Sequence, residues 1–202
     1  MGQMQIKKAQ YLKGAVKKED CPRDGLPQIA LAGKSNVGKS SLINCVANNY
    51  KLARVSGQPG KTRILNFYMM NDKFYLVDLP GYGFARVSME EQEAWGDMMN
   101  SYLTSNETIA LIVHIVDIRH APTQLDIQMA EWIRHFNMPV AVVATKADKI
   151  SKGRWRGQIK DVQSALGYDE KVPIIPFSAV TRQGRDELLS VMNEFILAHR
   201  QN

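Results

Sequence analysis

The residues with the clearest chemical signature lie early in the chain. Gly33-Lys34-Ser35-Asn36-Val37-Gly38-Lys39-Ser40 match the pattern GxxxxGK[ST], whose glycines let the backbone curl until successive N–H groups face a chain of phosphates. A helix starting at this loop adds the positive end of its dipole. Lys39 is predicted to reach the β- and γ-phosphate oxygens and Ser40 to ligate Mg²⁺, with Ser41 also among the nucleotide-binding residues. A glycine-rich turn that binds nothing is the plainer alternative, but an apolar strand before the motif and a helical pattern after it argue against it.

Three shorter motifs follow in order. Asp78-Leu79-Pro80-Gly81 ends a second apolar run, where Asp78 can hold the metal through water and Gly81 can bring its own N–H to a γ-phosphate. Thr145-Lys146-Ala147-Asp148 follows a third run. There the Asp148 carboxylate can accept from both the ring N–H and the exocyclic amine of guanine, which adenine cannot satisfy, while the Lys146 stem covers the base. Phe177 ends a fourth such run, and Ser178-Ala179 after it would aim the Ala179 N–H at the guanine carbonyl oxygen. Each motif alone is short, and Lys146 with Asp148 could be an ordinary surface ion pair. Four in sequence, each at the end of an apolar run, read together as a guanine-nucleotide site, because open α/β sheets bind ligands at the carboxyl ends of their strands.

Such a site needs alternating strands and helices. Apolar runs at Gln28–Ala32, Asn66–Met70, Lys73–Asp78, Ala110–Ile118, Val140–Ala144 and Val172–Phe177 alternate with helical patterns at Ser41–Asn48, Met89–Thr104, Gln124–Phe136, Gly157–Leu166 and Arg185–His199. These amount to about six strands and five helices, an α/β domain with a mostly parallel sheet. Asn71-Asp72 links two of the runs as a hairpin, so the sheet should be mixed. The first 25 residues lie outside the alternation, so the division expected is a basic extension over 1–25 and a nucleotide-binding domain over 26–202.

Composition narrows the class. The chain has 202 residues, 45% of them hydrophobic and 23% charged, which suits one globular domain rather than a disordered chain or a disulfide scaffold. Its two cysteines, Cys21 and Cys45, form no CxxC pair, which points to a reducing cytoplasm. No apolar run reaches the ~20 residues of a membrane span, and neither a signal peptide nor a lipid-anchor motif is expected. Twenty-six basic residues against 20 acidic give a net charge of +6, favouring polyanionic partners.

Gly57-Gln58-Pro59-Gly60-Lys61-Thr62-Arg63, the extended Asp78-Leu79-Pro80-Gly81-Tyr82-Gly83-Phe84-Ala85 and Asp117-Ile118-Arg119-His120-Ala121-Pro122-Thr123 resemble the EngB family of bacterial GTPases, from about Tyr11 to the C-terminus. The resemblance implies a Ras-like P-loop fold with a six-stranded sheet. It also implies GTP hydrolysis to GDP as a conformational switch in late assembly of the large ribosomal subunit, with a link to cell division and septation. By the same resemblance Thr62 becomes a switch residue that ligates Mg²⁺ and senses the γ-phosphate, flanked by Gly60, Lys61, Arg63 and Ile64. Without it, Gly60 and Thr62 would be ordinary turn residues. The two switches are expected near 57–64 and 78–87, and a monomer is expected.

Two departures from the wider GTPase pattern bear on the chemistry. Thr145 stands where most such enzymes have asparagine, so a shorter hydroxyl replaces the amide that ties the base loop to the phosphate loop; modest affinity is expected. Tyr82 replaces the glutamine that orients water, so slow intrinsic hydrolysis is expected. Asn36 resembles the asparagine of potassium-dependent relatives, which implies that K⁺ stands where an arginine finger would act; the alternative is an asparagine bonding within its own loop.

Lys7, Lys8, Lys13, Lys17 and Lys18 form one basic cluster, and Lys152, Arg154, Arg156 and Lys160 another. Either could grip rRNA phosphates or be solvated surface. His120 lacks a Ser or Cys partner for catalysis, Trp95, Trp132 and Trp155 read as core or interface, and Cys45 as core. The roles expected of the catalytic set, Lys39, Thr62, Gly81 and Asn36, belong to a switch GTPase. One rival is an RNA- or ribosome-binding module in which nucleotide is mainly structural; another is a P-loop kinase, which Asp148 disfavours.

Overall fold

The computed structural model describes residues 4–53, 64–82 and 100–201. Its strands are β1 (Ala9–Ala15), β2 (Gln28–Gly33), β3 (Leu65–Met70), β4 (Phe74–Asp78), β5 (Ile109–Asp117), β6 (Val140–Thr145) and β7 (Ile174–Pro176). Its helices are α1 (Lys39–Ala47), α2 (Gln124–His135), α3 (Lys152–Leu166) and α4 (Arg185–His199); residues 100–104 are also helical, the described end of the pattern expected over Met89–Thr104. The strands form one sheet in the order β1-β3-β4-β2-β5-β6-β7. β2, β4, β5, β6 and β7 run parallel, while β3 is antiparallel to both β1 and β4.

Alternation along the strands builds two cores. Ile29, Leu31, Leu111, Val113 and Ile115 face α1 and α4, with Leu42, Ile43, Leu188 and Met192 on the facing helices. Ala30, Val77, Ile112, Val116 and Val142 face the other way, onto Ala130 and Ile133 of α2, Val162 and Leu166 of α3, and Tyr102 and Leu103. Period-2 side chains on strands covered by helices on both sides explain why these runs are apolar throughout.

The sheet has seven strands among the described residues, not six. The added strand, β1, lies within the basic extension and pairs antiparallel with β3. It sits at the edge and buries only Ala15, so it has no apolar run to betray it. Asn71 ties it to the sheet by accepting from the Lys7 and Lys8 N–H groups at 2.8 and 3.1 Å. Asn71 and Asp72 both have φ near 53°, the left-handed pair that a two-residue hairpin turn requires. Among the described residues, no helix is long and apolar enough to cross a membrane.

Candidate functional site

The parallel strands end on one side of the sheet, and the motifs are at those ends. β2 finishes at Gly33 and α1 begins at Lys39, so the phosphate loop is strung between a buried strand and a helix N-terminus. Gly33 is required by proximity: a Cβ there would stand 2.9 Å from the Ile115 carbonyl oxygen. Asn36 and Gly38 take left-handed backbone at φ 61° and 114°, which curls the loop. Lys34, Ser35, Lys39, Ser40 and Ser41 are partly accessible, Val37 is buried and Asn36 is exposed.

Asp78 closes β4 beside this loop. Its Oδ1 lies 3.8 Å from Lys39 Nζ and is buried without a hydrogen-bond partner among the described residues. Burial pushes the Asp78 carboxyl up and the Lys39 ammonium opposes that shift. An orphaned buried carboxylate oxygen beside a cation is costly. Asp78 and the Ser40 hydroxyl in the first turn of α1 both offer oxygen, the donor atom that Mg²⁺ takes, and could hold that ion. Leu79 is buried and its N–H donates to the Leu31 carbonyl at 3.2 Å, and Pro80 carries the chain to Gly81. There a Cβ would lie 3.1 Å from Lys39 Nζ and equally close to Ser35 Cα and N. A Cβ there would press on the Ser35 backbone and displace the Lys39 ammonium by a few tenths of an ångström.

Tyr82 turns away from the loop. It is 5% exposed, and its hydroxyl donates to Asp126 Oδ1 at 2.7 Å and meets His114 Nε2 at 3.1 Å. His114 Nδ1 meets the Tyr168 hydroxyl at 3.0 Å. Because the Tyr82 proton goes to Asp126, His114 donates through Nε2 and accepts from Tyr168 through Nδ1. Burial lowers the His114 pKa to about 4, against the opposing pull of Asp126, so the ring is neutral near pH 7. With its phenol spent in the core, Tyr82 cannot orient a water at the phosphates.

The base-binding motif assembles at the ends of β6 and β7. Thr145 Oγ1 lies 2.7 Å from the Val37 carbonyl and 3.0 Å from that of Val116, so the shorter hydroxyl that stands in place of the amide ties the base loop to the phosphate loop. It reaches a main-chain carbonyl that the loop brings close. Lys146 has φ 61°; its ammonium donates to the Asn36 carbonyl at 3.1 Å and pairs with Asp117 Oδ2 at 2.9 Å. Ala147 is buried, with its N–H on the Phe177 carbonyl at 3.0 Å. Ser178 Oγ donates to Asp148 Oδ1 at 2.7 Å, and Lys149 Nζ stands 3.3 Å from Oδ2. The Ser178 hydrogen bond lowers the Asp148 pKa, so the residue is a fixed carboxylate with lone pairs left for two N–H donors. Ala179 follows in the same turn, partly buried.

Asp117 is a site residue whose role the motifs did not reveal. Burial would raise its carboxyl, but hydrogen bonds from Arg119 and Lys146 hold it well below the usual range. The signal was its place at the end of β5, opposite Thr145 in the sheet register. His114 and Asp126 were also missed. A lone histidine in an apolar strand, and an aspartate three residues after Thr123 in capping-box spacing, were the available signs. Trp155 braces the base loop, donating from Nε1 to the Ala147 carbonyl at 3.2 Å, and Cys45 is buried as expected. Gly60, Lys61, Thr62 and Arg63 lie outside the described residues, as do Trp95 and switch residues 83–87; Ile64 is the first residue after that gap.

Comparison with known proteins agrees with this geometry. The profile of a family described as 50S ribosome-binding GTPase matches residues 28–146, and that of the elongation factor Tu GTP binding domain matches residues 95–198. "Probable GTP-binding protein EngB" of Bacillus subtilis (strain 168) is 49% identical over 96% of this chain and 99% of its own length. Its namesake in Heliobacterium modesticaldum is 48% identical over 95% of this chain and 94% of its own. A crystal structure of a probable GTP-binding protein engB superposes with TM-score 0.72 at 26% identity, covering 85% of this chain and 99% of that one. A structure of Era in complex with MgGDPNP and nucleotides 1506–1542 of 16S ribosomal RNA shares the fold, with TM-score 0.63 at 24% identity over 84% of this chain and 56% of its own. The chain therefore belongs to the EngB family of GTP-binding proteins, P-loop GTPases that hydrolyse GTP.

Proposed function

We propose that this GTPase is a switch in late assembly of the large ribosomal subunit, working in the cytoplasm as a monomer and linked through that role to cell division and septation. The observation that carries the switch is the contact of Gly81 with Ser35 and Lys39: a γ-phosphate contact there acts directly on the chain leading into residues 83–87. Lys39 neutralises charge on the transferring phosphoryl group, the Gly81 N–H reports its presence, and Asp148 with Ala179 selects guanine. Ser40, Thr62 and Asp78 hold Mg²⁺, which when bound neutralises phosphate charge. Gly33 to Ser41, Gly60 to Ile64 and Asp78 to Gly81 line the phosphates, and Thr145 to Asp148 with Phe177 to Ala179 line the base.

The family's description as ribosome-binding and the net charge of +6 support the ribosomal partner. So does the exposure of all nine residues of the two basic clusters, since lysines and arginines held in solvent can displace counterions from rRNA phosphates. Asn36, exposed in left-handed backbone, is the residue we assign to K⁺. With Tyr82 committed to the core, hydrolysis needs an outside contribution. Single-turnover GTP hydrolysis is expected to speed up with purified large subunits and to run faster in K⁺ than in Na⁺. Equal rates with and without subunits favour a binding module with structural nucleotide, and equal rates in the two salts remove the potassium role.

A further inference from the structure

Tyr82 is held at both ends. Its carbonyl accepts the Ser35 N–H of the phosphate loop at 2.9 Å, and Lys34 and Tyr82 form a parallel bridge. Its hydroxyl is bound to Asp126 and His114 inside the second core. Asp126 is itself fixed, since Oδ2 accepts both the Thr123 N–H and the Thr123 hydroxyl at 2.7 Å at the start of α2. His114 is fixed on β5 and by Tyr168 beyond α3. Each buried polar group in this chain of bonds has a partner, so withdrawing the Tyr82 hydroxyl leaves a buried carboxylate oxygen and a ring nitrogen short of one.

Gly81 sits between these anchors. It is packed so closely on Ser35 and Lys39 that even a methyl group would be crowded at 3.1 Å. A phosphoryl group set between Gly81 and Lys39 enters a space where a single added carbon is already crowded and so pushes Gly81 away from the loop, and Tyr82 is the next residue along the chain. We propose that Tyr82 is a positioning residue, a latch whose buried hydroxyl holds Gly81 down on the phosphate loop and so opposes the contact with a γ-phosphate. The latch rests on the reading of Gly81 as the γ-phosphate contact. It makes the nucleoside triphosphate trade one set of bonds for another, and a ligand shifts such an equilibrium only by its differential affinity for the two arrangements.

The test is the affinity of a non-hydrolysable GTP analogue relative to GDP, measured by fluorescence with the full-length protein and Mg²⁺. Tyr82→Phe keeps the ring and removes only the hydroxyl. It is expected to raise the preference for the analogue by roughly three- to tenfold, the range of one lost hydrogen bond, with GDP affinity unchanged. Tyr168→Phe, which loosens His114 from outside, is expected to shift the ratio the same way by less. An unchanged or lowered ratio in Tyr82→Phe, with a changed melting temperature alone, means that the network is only structural and overturns the latch. Gly81→Ala separates the two claims. Selective loss of analogue binding there, beside an unmoved Tyr82→Phe ratio, refutes the latch alone; no selective loss refutes the reading of Gly81.

Discussion

Asp148 decides which purine the site takes, and it does so as a carboxylate fixed from both sides. Ser178 bonds one oxygen and Lys149 approaches the other, so the side chain loses little freedom when a base arrives. Asp148→Asn replaces an acceptor by a donor toward the exocyclic amine. It is expected to weaken GTP by about 100-fold or more, as two hydrogen bonds to a charged group are lost, and to improve binding of xanthosine triphosphate, measured by competition. His114 gives a second residue-level expectation. Its pKa falls from 6.5 to about 4 on folding, so between these values the unfolded chain takes up a proton that the folded one refuses. Stability should therefore drop as pH falls from about 6.5 to about 4, by up to about 3 kcal/mol, and change no further from this group below that. Urea unfolding across this range checks it, and His114→Gln should flatten the slope. The nucleotide motifs were legible because phosphate and base chemistry dictate residue types at fixed spacings. The Tyr82–His114–Asp126 chain was not, because its members meet only after β5 and α2 have packed.

Helix and strand ends were readable where apolar periodicity marked them and missed where it did not. α3 begins at Lys152, five residues before the expected Gly157, since its first turn is basic and exposed and contains Gly153. Both glycines have open space where a Cβ would go and lie inside the helix. Gly153→Ala and Gly157→Ala should each stabilise the protein by about 0.5–1 kcal/mol, read as a rise in the urea midpoint at constant slope. At the other end of the domain, Arg185 donates from Nε to the Cys45 carbonyl and from Nη2 to that of Val46, at 2.9 and 3.0 Å. It thereby satisfies the last carbonyls of α1, the helix that carries Lys39 and Ser40. Arg185→Ala is expected to cost about 1–3 kcal/mol in the same assay. No spacing in the sequence pairs α4 with the end of α1, so this contact had to come from the fold. Likewise β1 emerged from the basic extension because an edge strand with one buried residue gives no pattern to read.

At the scale of the whole molecule, one end of the sheet binds nucleotide while positive charge is spread over residues 7–18, in β1 and on either side of it, and over the exposed side of α3. The α/β class and the parallel sheet followed from alternating apolar and helical segments, but the placing of charge relative to the phosphate and base loops needed the structure. A switch in ribosome assembly requires that nucleotide state govern binding to the ribosome, and sedimentation tests that directly. The protein is run on sucrose gradients with purified ribosomal subunits in GTP, GDP or a non-hydrolysable GTP analogue. Co-migration with free large subunits in the presence of the analogue, lost in GDP and weakened by raised salt, is the predicted result. Equal association in all nucleotide states, or none with the large subunit in any of them, would contradict it.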